Sequence, residues 1–144
     1  MRVWLLGRLD ALREWLPRSR GDARHARGRR AEDLAMRYLQ GKGMRILARN
    51  WRAEPLCEVD LIADDGGQTV FVEVKSRLDD EHGDPERLVG ALKAVEQRRG
   101  ARAWARRAGI AAPTIRFDLI TVVWDDPPRI EHEEAAWSLS GGGG

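Results

Sequence analysis

Glu58, Asp60, Glu73 and Lys75 are spaced so that folding can bring them together. Glu58-Val59-Asp60-Leu61-Ile62 and Val70-Phe71-Val72-Glu73-Val74-Lys75 both read as strands, and Asp64-Asp65-Gly66-Gly67-Gln68 between them is a hairpin signal. If Asp64 faces Thr69, Asp60 falls opposite Glu73 and Glu58 opposite Lys75. Like charges directly opposite each other destabilise a sheet. Two carboxylates so placed, with a lysine two residues on, point to a divalent cation between them. Such an ion lowers the pKa of a water and neutralises charge on a phosphate. Lys75 is then placed to hold the attacking water or to stabilise charge in the transition state. Glu58 is placed to orient Lys75.

The elements that must position these groups follow from periodicity. On the Glu73 strand, Val70, Val72 and Val74 share one face, which should pack on a helix; Phe71, Glu73 and Lys75 share the other. Ile62 with Phe71 makes the apolar floor beside the acids. Ala31, Leu34, Ala35, Tyr38 and Leu39 form a helical stripe ended by Gly41 and Gly43. Glu32 lies at the edge of that stripe, suited to reach over the sheet as a further ligand; periodicity alone favours a solvated helix charge. Residues 44–52 read as a first strand and 78–84 as a polar loop. Asp84-Pro85-Glu86 opens a helix running to about Ala108, with Asp as cap and Pro at the first position. Residues 115–124 form a further strand, and 129–137 an edge strand or a short turn. The fold class is α/β, a mixed sheet flanked by helices with core order α-β-β-β-α-β.

A chain of 144 residues with net charge +2 suits one domain, and the bulk charge selects no partner. Its distribution says more, because residues 1–30 hold nine arginines against Asp10, Glu14 and Asp22. Residues 1–27 read as a basic arm: Leu5, Leu9, Leu12 and Leu16 mark a short amphipathic helix ended by Pro17, and residues 18–27 a linker. Such an arm suits a polyanion, an acidic protein partner or plain solvation. Residues 28–137 form the domain proper, and 138–144 a Gly-rich tail expected to be flexible. Cys57 is the only cysteine, so no internal disulfide forms, and no Cys/His cluster supports structural zinc. No apolar run reaches membrane-spanning length. A cytoplasmic location is the expectation.

Asp60 followed by Glu73-Val74-Lys75 resembles the PD-(D/E)XK nuclease signature, in which an Asp and a Glu-x-Lys on adjacent strands bind magnesium. A longer series is similar to the YraN-type family of that superfamily. It comprises Gly28 through Glu32, Ala35, Tyr38-Leu39, Gly43, Asn50, residues 58–63, residues 71–77, Gly83, Lys93 and Arg116-Phe117-Asp118. The likeness covers about residues 28–124. It implies the restriction-endonuclease-like fold and a site of Glu32, Asp60, Glu73 and Lys75. It further implies Mg²⁺ (or Mn²⁺) on Asp60, Glu73 and Glu32, and hydrolysis of DNA phosphodiesters by metal-activated water. The family usually has Gly before its Glu-x-Asp, where this chain has Cys57, so the entry to that strand should differ.

Nucleic-acid contacts are expected from arginines. Arg98, Arg102 and Arg106 share one helix face, and Arg77 follows Lys75 on the same strand face. Lys93 joins them by resemblance. His82 reads as a solvated loop residue, Trp104 and Trp124 as core, and Trp51 as ambiguous. The expected partner is DNA, whether duplex, single-stranded or branched, with RNA left open. A non-catalytic nucleic-acid-binding module and a protein adaptor that keep the nuclease fold are the alternative readings.

Overall fold

In the computed structural model, residues 2–4, 20–53, 57–78, 86–110 and 114–137 are described. Eight elements follow in chain order: β1 (Arg2–Trp4), α1 (Arg20–Gly41), β2 (Arg45–Ala53), β3 (Cys57–Asp65), β4 (Gln68–Leu78), α2 (Glu86–Ala108), β5 (Ile115–Trp124) and β6 (Arg129–Trp137). The six strands form one sheet in the order β1-β6-β5-β4-β3-β2. β4 and β5 run parallel, joined through α2, and every other neighbouring pair is antiparallel. This is the mixed, helix-flanked α/β architecture that the sequence implied, and it is consistent with the restriction-endonuclease-like fold.

Strand alternation divides the core into two layers. Leu61, Ala63, Val70, Val72, Ile120 and Val122 are fully buried against Ala31, Ala35, Tyr38 and Leu39 of α1. Val59, Ile62, Phe71 and Phe117 face the other way, where Ala101 of α2 joins them. The valine face of β4 thus packs on a helix as expected, and Glu73 and Lys75 fall on the α2 side. Trp104 and Trp124 pack partly buried on the two layers, and Trp51 joins Trp104 in an edge-to-face contact at 5.4 Å.

α1 ends as its glycines require. Gly43 has φ 89°, Met44 N–H bonds back to the Leu39 carbonyl and Gly43 N–H to that of Gln40. These two bonds satisfy carbonyls that a helix end leaves open. Just beyond, a buried polar cluster ties α1 to β5 and β6. His132 Nε2 lies 2.8 Å from Asp118 Oδ2, its Nδ1 lies 3.2 Å from the Tyr38 hydroxyl, and Arg116 grips Asp118 through Nε and a terminal nitrogen.

Two expectations change at the N-terminal side. Residues 20–27, read as linker, are the first two turns of α1. Their low apolar content suggested a linker, but Ala23, Arg24, Ala26 and Arg27 are good helix formers, and the small Ala26 suffices to bury that face. Arg2–Trp4, read as part of the arm, adds an edge strand to β6. The amphipathic helix expected within residues 5–16, the cap at Asp84-Pro85 and the tail 138–144 lie outside the described residues.

Candidate active site

The β3–β4 ladder runs from Asp65↔Gln68 to Leu61↔Val72 and includes the Asp64↔Thr69 pair on which the sequence argument depended. It stops one residue short of Asp60 and Glu73. There the Val74 N–H donates to Asp60 Oδ2 at 2.8 Å. A carboxylate has taken the place of a strand carbonyl, and the two strands fork. β2 contributes to the same irregularity. Asn50, flanked by the pairs Arg49↔Leu61 and Trp51↔Val59 and so level with Asp60, has φ 46°. Asparagine tolerates this left-handed conformation better than most side chains. Val59 and Ile62, three residues apart, both pack on the α2 side, so the alternation of β3 is interrupted across Asp60.

Glu32 approaches this point from α1. Asn50 lies near enough to the Glu32 carboxylate to favour its charged form. Glu32 Oε2 is nonetheless buried without a hydrogen-bond partner among the described residues. Arg49 lies 3.8 Å from it and is engaged by Asp33 at 2.8 Å. Burial, and next the negative charge of Asp60, raise the Glu32 pKa above the ordinary carboxylate value, against smaller lowering from Asn50 and Arg49. Glu32 thus lies against Arg49, the β2 residue that faces Leu61, with one carboxylate oxygen buried and not solvated.

Glu73 is 5% exposed, and its Oε2 accepts a hydrogen bond of 3.1 Å from Gln97 Nε2 on α2. α2 is pinned to the start of β3. The Cys57 thiol donates to the Glu96 carbonyl at 3.0 Å, and Glu58 N–H donates to Glu96 Oε1 at 3.1 Å. Gly100 permits this approach, because a Cβ there would stand 2.5 Å from Cys57 Sγ and 3.0 Å from Val59 Cγ2. The departure at Cys57 is thus absorbed as a buried side chain held by α2. Lys75 is half-buried on the Glu73 face and makes no ion pair with another described residue. Glu58 does not orient it, contrary to expectation. Glu58 pairs across the other ladder with Arg52 at 3.5 Å, because β2 supplies a nearer cation.

The donor set fits a hard cation. Glu32, Asp60 and Glu73 offer oxygen only, and Glu32 Oε2 is a buried acceptor that a cation or its water would satisfy. Among the described residues no three His, Cys, Asp or Glu side chains are gathered closely enough to hold a metal ion. The three acids are therefore not closed into one cage, and a cation held here would rest on one or two of them.

Among the expected nucleic-acid contacts, Arg102 and Arg106 are exposed on α2, with Arg98 half-buried on the same face. Arg77 is less open than expected. It pairs with Glu131 of β6 at 3.5 Å, with its Nε buried. β5 lies between them, and alternation turns both side chains to one face. Lys93 lies within α2, but its side chain and His82 are outside what is described.

Two residues enter the site that spacing did not single out. Asn50 was visible only through family likeness; its left-handed backbone depends on the β2–β3 pairing. Gln97 carried a local signal, since it interrupts the buried stripe Ala94, Gln97, Ala101 with a fully buried amide. No helix of the described residues is long and apolar enough to cross a membrane.

Residues 31–122 match the family model described as "Uncharacterised protein family UPF0102". A UPF0102 protein of Solibacter usitatus is 40% identical over 128 residues, spanning 88% of this chain and 96% of that protein. One of Anaeromyxobacter dehalogenans is 44% identical over 122 residues, 84% of this chain and 90% of that protein. One of Geobacter sulfurreducens is 42% identical over 115 residues, 78% and 89% respectively.

Proposed function

The chain belongs to the uncharacterised protein family UPF0102, the YraN-type group of the PD-(D/E)XK nuclease-like proteins, and we propose that it is a Mg²⁺- or Mn²⁺-dependent endonuclease that hydrolyses DNA phosphodiesters. One observation carries this reading. The Asp60 carboxylate is fixed on the Val74 N–H, between Glu73 and Lys75, at the level where Glu32 arrives from α1. A module that only bound nucleic acid would gain nothing from three acids beside phosphate.

Asp60 and Glu73, with Glu32, would hold the cation, which supplies an acidified water and neutralises phosphate charge when bound. The chain's own groups do the rest. The Val74 N–H fixes Asp60, so its orientation does not depend on substrate. Lys75, a cation on the Glu73 face, is placed to stabilise the charge that develops on the phosphate oxygens. Arg102 and Arg106 present positive charge to the backbone of either strand without reading bases.

The test is incubation with duplex, single-stranded and branched DNA, and with RNA, in Mg²⁺ or Mn²⁺, beside a Glu73→Ala control. Cleavage that the control lacks supports the proposal. The absence of a closed three-acid cage favours one alternative, a non-catalytic nucleic-acid-binding module. Binding without cleavage on every substrate would decide for it.

A further inference from the structure

Gln97 is fully buried, in a helix stripe where an apolar side chain would be the cheaper choice. An amide carries two donor hydrogens and an acceptor oxygen. Nε2 spends one donor on Glu73 Oε2 at 3.1 Å. Oε1, on the same amide and so beside the Glu73 carboxylate, is buried without a partner among the described residues. Buried polar atoms in native proteins are nearly always paired.

The sign of the unmet need narrows what pairs with it. Glu32 Oε2, arriving from α1, is likewise a buried acceptor without a hydrogen bond among the described residues, with the Arg49 guanidinium no nearer than 3.8 Å. Acceptors call for donors. A phosphodiester brings only acceptor oxygens to this place, whereas water bound to a divalent cation is a strong donor. Gln97 also has little room to withdraw. Gly100, one turn on, brings α2 so close to β3 that a Cβ would meet Cys57 Sγ at 2.5 Å, and Glu96 fastens the same turn to the Glu58 N–H.

We infer that Gln97 is a positioning residue of the cation site: Nε2 holds the Glu73 carboxylate in place, and Oε1 accepts a hydrogen bond from a water carried by the ion. This rests on the cation reading of the site proposed above and adds to it a residue outside the acid–lysine set. It acts through Glu73 and through the ion's water, and needs no contact with nucleic acid.

The test uses the full chain without nucleic acid and Mn²⁺ alone as the probe, followed by the loss of the free-Mn²⁺ paramagnetic signal. Gln97→Met keeps the length and removes both polar atoms; Gln97→Leu is a second apolar variant should the first fold poorly. Both are expected to weaken Mn²⁺ binding about 10- to 100-fold, the usual loss for an outer-shell partner. The melting temperature of the cation-free protein should hold or rise. In a Glu73→Asp background, which keeps a carboxylate on a shorter stem, Gln97→Met should cause a smaller loss of Mn²⁺ affinity than in the unmutated chain, a non-additivity that a merely structural role would not produce. In the unmutated chain the Gln97 side-chain amide resonances should shift on Mg²⁺ titration with the midpoint of binding. Wild-type Mn²⁺ affinity in the folded variants, or stationary Gln97 resonances during binding, would overturn this inference alone. A wild-type chain that takes up no Mn²⁺ would overturn the cation reading and this inference together.

Discussion

Asp60 does a backbone's work at the mouth of the site: its carboxylate accepts the Val74 N–H at 2.8 Å where the β3–β4 ladder has ended. The same side chain thus closes the sheet's hydrogen bonding and presents a charge. These two roles are separable by substitution. Asp60→Asn keeps an oxygen that can accept from Val74 and removes the charge. Asp60→Ala leaves that N–H without its acceptor, at a cost of about 1–3 kcal/mol. Denaturant unfolding should find the Asn variant near wild type and the Ala variant less stable, with Mn²⁺ binding lost in both. Equal destabilisation would mean that the charge, and not the hydrogen bond, holds the fork.

The helix–strand contact that delivers Gln97 makes a second prediction. Gly100→Ala gains about 1 kcal/mol of helix propensity, yet its Cβ would press on Cys57 Sγ and Val59. Overpacking of this kind costs about 1–3 kcal/mol. The variant should unfold at lower urea, and Cys57→Gly in the same chain should recover part of the loss. A stabilised Gly100→Ala would show that α2 can move off β3 freely.

How much of this was legible beforehand depends on how local each signal is. The β3–β4 hairpin was, because Gly66-Gly67 and the alternating valines fix its register within fourteen residues of chain. Its register, with Asp64 facing Thr69, is the observed one, and the ladder ends at Leu61↔Val72, one pair short of Asp60 and Glu73. The role given to Glu58 failed because its nearest cation, Arg52, comes from the opposite neighbour strand. Residues 20–27 looked like linker because, among their described side chains, the small Ala26 alone is buried. Asn50 and Gln97 needed the assembled sheet, since the first is defined by a strand pairing and the second by how near α2 can come.

Asp118 sets a pH dependence. Burial pushes its pKa up, but hydrogen bonds from His132, Arg116 and the Ala135 N–H, with the Arg116 charge, outweigh burial and hold it below the ordinary value. A carboxylate depressed in the folded state contributes stability that is complete above its unfolded value, about pH 4, and is lost as pH falls through the lower folded value. Acid unfolding followed by circular dichroism should show this loss, and Asp118→Asn should remove that part of the dependence. At neutral pH the Asn variant should be about 1–3 kcal/mol less stable, because the charge-assisted bond from Arg116 to Asp118 is lost and Arg116 keeps Asp65 alone as its counter-charge.

The exposed arginines of α2 should act on affinity and not on rate. Arg102→Ala with Arg106→Ala should weaken binding to any DNA sequence and reduce the slope of log affinity against log salt by about 2, if each neutralises one phosphate. Filter binding across a salt series measures this. An unchanged slope would move the contact surface elsewhere on the molecule.

Lys75 separates transition-state from ground-state effects. It lies on the Glu73 face of β4, half-buried and without an ion pair to another described residue, so its charge is not already committed within the described fold. A group that meets charge only as it develops should raise the rate and leave binding nearly untouched. Lys75→Ala is expected to lower single-turnover cleavage by roughly 10²–10³-fold, in line with loss of one stabilising donor, at nearly wild-type DNA affinity. Glu73→Ala should behave differently. It removes a ligand of the cation, so cleavage and Mn²⁺ binding fail together, while DNA binding without metal tightens as a negative charge near phosphate disappears. Single-turnover rates and metal-free affinities on one substrate distinguish the two patterns. If both variants cleaved at the wild-type rate, the activity would come from another site or another protein, and the fork at Asp60 would be structural.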